Sequence, residues 1–223
     1  MSKSTTTKTT AAAASLMMRG LNGVVGAQGA ASTTGRTATV RCGCGNGRRR
    51  RGATIVRRGA NRPPITIGER VPEDVEVRYF DDDGSLVTAT FGELTREKTV
   101  VVFAVPGAFT PTCSTKHLPG YVSRADEMRA RGVDAIMCVS VNDAFVMGAW
   151  GKAQNADEII MLADGNGEMT AALGLELDGS GFGLGTRSQR FAMIVEDGKV
   201  THLNIEEGPG VDVSSAETMM ALL

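Results

Sequence analysis

The sequence predicts an α/β domain, a central mixed sheet flanked by helices, and three observations carry that expectation. Two runs, TVVVFAV (99–105) and VDAIMCVSV (133–141), are continuously apolar and rich in β-branched residues, as in strands buried on both faces. Segments with helical spacing and recognisable caps lie between the strands. The C-terminal part then changes pattern to a hairpin and a last helix, which makes the sheet mixed rather than wholly parallel.

The elements follow in order. VEVRYF (75–80), DDDGS and LVTATF read as a hairpin with an acidic turn. TVVVFAV stops at Pro106-Gly107, and a helix is expected to begin near Pro111, because Pro is favoured in the first turn. Pro119-Gly120 should kink or interrupt that helix, which resumes as YVSRADEMRARG. After VDAIMCVSV, the segment NDAFVMGAWGKAQ predicts a helix capped by Asn142. IIMLAD is a third strand, and GEMTAALG is a short helix closed by Gly174. RFAMIVEDGKVTHLNI is a hairpin turning at Asp197-Gly198, and SSAETMMALL is a Ser-capped helix. This order is that of a thioredoxin-like fold.

Charge divides the chain. Residues 1–62 hold twelve Lys/Arg and no acid, whereas 63–223 hold twelve Lys/Arg against twenty-five Asp/Glu, a formal −13. About 160 residues from Pro63 onward suit one domain. The Ser/Thr/Ala/Arg-rich arm predicts a disordered organelle-targeting segment, with its start and the TVRC before Cys42 favouring the chloroplast stroma over the mitochondrial matrix. Its arginine clusters, Arg48–Arg51 with Arg57 and Arg58, also suit phosphate binding, and inert low-complexity sequence is the third reading. No nucleic-acid or membrane partner is expected for the mature domain. Cys42 and Cys44 lack further His or Cys nearby to complete a zinc site, so no metal and no cofactor are expected.

Cys113 and Cys138 remain. Cys113 stands two residues after Pro111, within the first turn of its helix, where unpaired N–H groups and the helix dipole favour a negative charge. A thiolate is the reactive form of cysteine, although most free cysteines are small buried hydrophobes. Acidifying a thiol raises its thiolate fraction but lowers its nucleophilicity at a Brønsted slope of about 0.45, so the net gain is only a few-fold. Fast chemistry therefore needs donors and a cation arranged in advance. Thr110 can place a hydroxyl beside the sulfur, and Pro106 and Pro111 restrict the backbone and shield it. His117 follows Cys113 by four residues on one helix face, and a helix-surface or packing role is expected of it.

The spacing Pro106-x-x-x-Thr110-x-x-Cys113 resembles the peroxiredoxin signature, and PGAFTPTCSTKHLPGY resembles that of type II, or atypical two-cysteine, peroxiredoxins. SVNDAFVMGAW and SQRFAMIVEDGKV resemble the same subfamily in the expected order, so the likeness spans roughly 64–223. It implies a thiol peroxidase acting on hydrogen peroxide and alkyl hydroperoxides. It implies that Cys113 passes through a sulfenic acid and that Arg190 is the active-site arginine. Arg187 competes with Arg190 but matches less well. Phe145 and Trp150 are expected to be packing or contact residues; the resemblance places them near the interface of a homodimer, and Phe109 near the site's rim.

Cys138 follows Cys113 at the spacing of plant type II peroxiredoxins, so it is a possible resolving cysteine. Against that, a cysteine inside a buried strand is usually packing. The late cysteine of animal members is replaced by Val213, which implies reduction by glutaredoxin with glutathione, or by thioredoxin. A thioredoxin-like reductase would need Cys-x-x-Cys, and here position 110 is Thr and position 116 is Lys. The alternative of another class is a peroxide-sensing redox relay without efficient turnover.

Overall fold

The structure, a computed structural model, describes residues 62–223. The predicted arm, Arg62 apart, lies outside the described residues, as do Cys42 and Cys44.

β1 (Glu76–Phe80) and β2 (Leu86–Thr90) form the first hairpin. α1 (Phe91–Thr95) follows, started by a capping box in which Thr90 and Glu93 satisfy each other's backbone N–H. β3 (Thr99–Ala104), β4 (Ala135–Ser140) and β5 (Ile160–Ala163) run parallel side by side. β8 (Phe191–Glu196) lies antiparallel against β3, and β9 (Lys199–Ile205) against β8. The seven-stranded order is β2-β1-β5-β4-β3-β8-β9, the mixed sheet expected. The Asp197-Gly198 turn falls where the sequence places it, both residues having positive φ, as a two-residue hairpin requires. A separate pair, β6 (Glu176–Asp178) with β7 (Thr186–Ser188), was not expected from the sequence.

Period-two alternation in β3 divides the core. Val101 and Phe103 face one apolar layer, which also contains Tyr121, Met128, Trp150 and Met219; Val100, Val102 and Ala104 face the other, with Phe91, Leu162 and Leu173. On the first side pack α2 (Leu118–Val122), α3 (Ala125–Ala130), α4 (Ala144–Ala153) and α6 (Ala216–Met220). α1 and α5 (Glu168–Leu173) cover the second. Gly174 closes α5 at φ +69°, and a Cβ there would stand 2.5 Å from the Pro63 carbonyl oxygen, so the expected glycine stop has a steric reason.

Two local expectations are corrected. The chain does not break at Pro119-Gly120: helix runs over 111–122, and the interruption comes at Ser123 and Arg124. A π-helical turn, Cys113–His117, precedes Pro119, with the Leu118 N–H bonded to the Cys113 carbonyl. The widened turn leads into α2 with Pro119 in its first turn, where a missing N–H costs little. The cap of α4 is Asp143, whose carboxylate accepts from the Val146 N–H, and not Asn142. Asn142 instead accepts from the Ala108 N–H at 3.0 Å and the Ser140 hydroxyl at 2.8 Å, tying the end of β4 to the loop after β3.

Candidate active site

Cys113 is fully buried at the start of the helix that follows β3. The first helical bond there runs from the Ser114 N–H to the Thr110 carbonyl at 3.0 Å. The N–H groups of Thr112 and Cys113 therefore precede any i−4 acceptor within the helix and point toward its start, where they favour an anion. The loop beneath is fixed at several points. Asn142 holds Ala108, and the Thr110 N–H reaches the Gly107 carbonyl at 3.4 Å; Arg187 Nη1, donating to the Val141 carbonyl at 2.8 Å, braces the segment that carries Asn142.

Arg190 is brought to Cys113 from 77 residues away, Nη1 standing 3.5 Å from Sγ. It sits just ahead of β8 rather than inside the strand, and it is only 6% exposed. No carboxylate pairs with it among the described residues, and its Nε has no hydrogen-bond partner. A buried guanidinium with an unused donor beside a thiol is a pre-arranged cation and fork. Arg187 is committed to the Leu184 and Val141 carbonyls, so the geometry separates the two arginines.

Thr110 is held from the loop side. Its hydroxyl donates to the Gly107 carbonyl at 2.8 Å, and no hydrogen bond joins it to the sulfur. With its one proton committed, the oxygen keeps lone pairs free to accept from an O–H brought into the site. Pro106 is half-buried at the end of β3, whereas Pro111 is exposed at the first helical position.

His117 is not a surface residue, being 1% exposed. Its Nε2 lies 3.0 Å from the Ser214 carbonyl, which can only accept, so Nε2 carries the proton. Nδ1, 3.1 Å from Arg190 Nη1, is then the acceptor for the guanidinium. Both ring nitrogens are committed, which removes the imidazole as a base for Cys113. Sequence spacing put Cys113 and His117 on one helix face; the partners 73 and 97 residues away were not legible. Tyr121 also donates to the Ser214 carbonyl, at 2.8 Å, and stacks on Phe103 with ring centroids 3.9 Å apart.

Burial, with help from the Arg190 charge, lowers the His117 pKa from 6.5 to about 4, against the opposing pull of the Ser214 hydrogen bond and Glu206. The unfolded chain takes up this proton near 6.5 and the folded chain only near 4, so the unfolded state binds more protons in between. Stability from this residue is therefore complete above 6.5 and falls toward 4, by on the order of 3 kcal/mol. Asp164, raised by burial, works in the opposite sense at the acid end. Urea unfolding at pH 7 and pH 4.5 should show the wild type losing more stability than His117→Gln. Equal losses in the two proteins would contradict this account.

Cys138 lies in the middle of β4, opposite Phe103 of β3 and Met161 of β5, and is fully buried. Burial, and then the neighbouring Cys113, push its thiol well above the usual range. Trp150 is also wholly buried, its Nε1 donating to Ser114 Oγ at 3.0 Å, so of the two expected roles it takes the packing one. Phe145 and Phe109 are 70% and 56% exposed. Phe109 adopts φ +62°, a left-handed conformation unusual for a bulky residue, in a loop fixed on both sides of it.

A buried thiol facing a guanidinium at a helix start, in this sandwich, defines a thioredoxin-like thiol redox enzyme rather than a Cys–His hydrolase. Comparison with known proteins narrows the class. The family model described as Redoxin matches residues 66–220. The chain is 52% identical over 164 residues to Peroxiredoxin-2E-2, chloroplastic, of Oryza sativa subsp. japonica, covering 71% of this chain and 72% of that one. It is 49% identical over 161 residues to Peroxiredoxin-2B of Arabidopsis thaliana, covering 72% and 99%. Among solved structures, reduced Prx3 of Vibrio vulnificus in complex with H2O2 superposes with a TM-score of 0.67 at 54% identity, over 71% of this chain and 98% of that one. The chain belongs to the redoxin family, and within it to the type II peroxiredoxins, which are thiol peroxidases.

Proposed function

We propose that Cys113 is the peroxidatic nucleophile, with Arg190, Thr110 and Pro106 completing its site, and that the enzyme reduces hydrogen peroxide and alkyl hydroperoxides. The observation that carries this reading is Arg190 Nη1 at 3.5 Å from Cys113 Sγ, the guanidinium having no carboxylate partner among the described residues. The thiolate sulfur attacks one peroxide oxygen; the S–O bond forms as the O–O bond breaks. The leaving oxygen takes a proton and departs as water or an alcohol, and Cys113 is left as a sulfenic acid. Arg190 stabilises negative charge first on sulfur and then on the departing oxygen. Thr110 Oγ1 accepts from the peroxide O–H, and Pro106 limits water at the sulfur.

An external thiol completes the cycle, from glutaredoxin with glutathione or from thioredoxin. The burial of Cys138 within the parallel ladder and its strongly raised pKa support this over an internal disulfide, because the attacking group must be a thiolate. The exposed rings of Phe109 and Phe145 support a homodimer, which sedimentation would refute by finding monomer at micromolar concentration. The name of the rice relative, Peroxiredoxin-2E-2, chloroplastic, and the acid-free arm at 1–62 support the chloroplast stroma. No described helix is long and apolar enough to cross a membrane.

Cys113→Ser should abolish peroxide turnover with either reductant, and activity retained at the wild-type rate would end this reading. Mass spectrometry after one equivalent of hydrogen peroxide should find a sulfenic acid or, with glutathione present, a mixed disulfide on Cys113. A Cys113–Cys138 disulfide, lost in Cys138→Ser, would instead assign resolution to Cys138. Slow or absent turnover in stopped flow would favour the peroxide-sensing relay instead, and efficient turnover would exclude it.

A further inference from the structure

Glu206, one residue beyond β9, reaches Arg190 by two routes. Its backbone N–H donates to the Arg190 carbonyl at 2.9 Å. Its Oε1 accepts from the Asp212 N–H at 2.6 Å, the Ser214 N–H at 2.9 Å and the Ser214 hydroxyl at 2.7 Å. The Ser214 carbonyl takes the His117 Nε2–H, and His117 Nδ1 takes the guanidinium. These bonds close a ring that leaves Arg190 through its main chain and returns through its side chain.

We propose that Glu206 is a positioning residue for peroxide reduction: through Ser214 and His117 it sets where the Arg190 guanidinium stands over Cys113. This rests on the peroxidase reading above. Three donors on one carboxylate oxygen are charge-assisted bonds, which fix Ser214 firmly. Burial opposes ionisation of Glu206, but the bonds from Asp212 and Ser214 outweigh it and hold the carboxyl below its ordinary range. The long Arg190 side chain has few other restraints, since Nε is unpaired and no acid touches it among the described residues. The indirect route matters chemically. A carboxylate bonded directly to Arg190 would fix the fork but also compensate its charge; two neutral links pass on orientation while leaving the charge to the sulfur and the peroxide.

The test is a double-mutant cycle on reduced full-length protein, with hydrogen peroxide consumption measured by competition against a haem peroxidase. Glu206→Ala should slow the reaction about tenfold, and Glu206→Gln, which keeps an acceptor oxygen, should return to within about threefold of wild type. In an Arg190→Lys background, where no fork remains to be positioned, Glu206→Ala should cost less than about twofold further. Losses that multiply in full, or an unchanged rate in Glu206→Ala, would overturn the proposal. Should Glu206→Ala fail to fold, Glu206→Gln on both backgrounds gives the same cycle, with a small loss in wild type that vanishes beside Arg190→Lys. The Cys113→Ser control separates the readings: turnover surviving in it refutes the peroxidase assignment, whereas an unchanged Glu206→Ala rate with an inactive Cys113→Ser refutes positioning alone.

Discussion

Arg190→Lys should lower the second-order rate with hydrogen peroxide by about a hundredfold, and Arg190→Gln by up to about a thousandfold. Lysine keeps the charge but replaces a planar fork by a compact, strongly hydrated point charge. In the wild type, Nη1 lies 3.5 Å from Cys113 Sγ and 3.1 Å from His117 Nδ1, and the unpaired Nε adds a third donor direction. A single ammonium on a flexible stem cannot occupy those directions at once. The variant retains electrostatic attraction for the thiolate and loses aligned donation to the leaving oxygen. Arg190→Gln loses both. Since acidifying a thiol gives only a few-fold by itself, most of the acceleration has to come from these donors. Stopped-flow oxidation of the reduced protein measures it, and an Arg190→Lys rate within about threefold of wild type would show that the fork is not used.

Trp150→Ala should destabilise the domain by about 3–5 kcal/mol, the range for removing a fully buried large aromatic side chain. Total stabilities of domains run to about 5–15 kcal/mol, so this single change removes a large share. Trp150 is the only tryptophan of the chain and is completely enclosed between α4 and the sheet. Its loss leaves a cavity and takes away the indole donor to Ser114, the residue next to Cys113. Trp150→Phe, which fills most of the space, should cost about 1–2 kcal/mol. Urea denaturation of the three proteins checks both figures. A Trp150→Ala loss below about 1 kcal/mol would mean that the core around α4 collapses to fill the gap.

Which features could be read in advance depended on how local their causes are. β3 and β4 were legible because burial on both faces of a sheet imposes an unbroken apolar run. The Asp197-Gly198 turn and the Gly174 stop were legible because each backbone conformation selects its residue type. The helix break was misplaced because the rule for proline assumes a regular α-helix, and the π turn at Cys113–His117 lets Pro119 fall in a first turn. Asn142 and Asp143 are chemically similar cap candidates, and the choice between them depends on Ala108 and Ser140, which the fold brings to Asn142. β6 and β7 are three residues each around a glycine-rich link, too short to show a period. Cys113 was visible through its position and the string around it. The bond partners of His117, and with them the reason it is buried, depend on residues of the C-terminal segment and of β8's approach, which no local pattern connects.

Arg190, which has no carboxylate partner among the described residues, sets two electrostatic ranges against each other. From outside, residues 63–223 present a formal −13, which repels anions over roughly a Debye length, about 8–10 Å in ordinary buffers. At the sulfur, a single buried cation with no carboxylate partner among the described residues attracts negative charge as it develops. A neutral peroxide crosses the outer field without cost and meets only the inner one. An anionic oxidant must climb before it falls, and added salt lowers that climb. The arrangement acts as a charge filter: ionic strength should leave the rate with hydrogen peroxide nearly constant and should speed the reaction of any peroxide that arrives ionised.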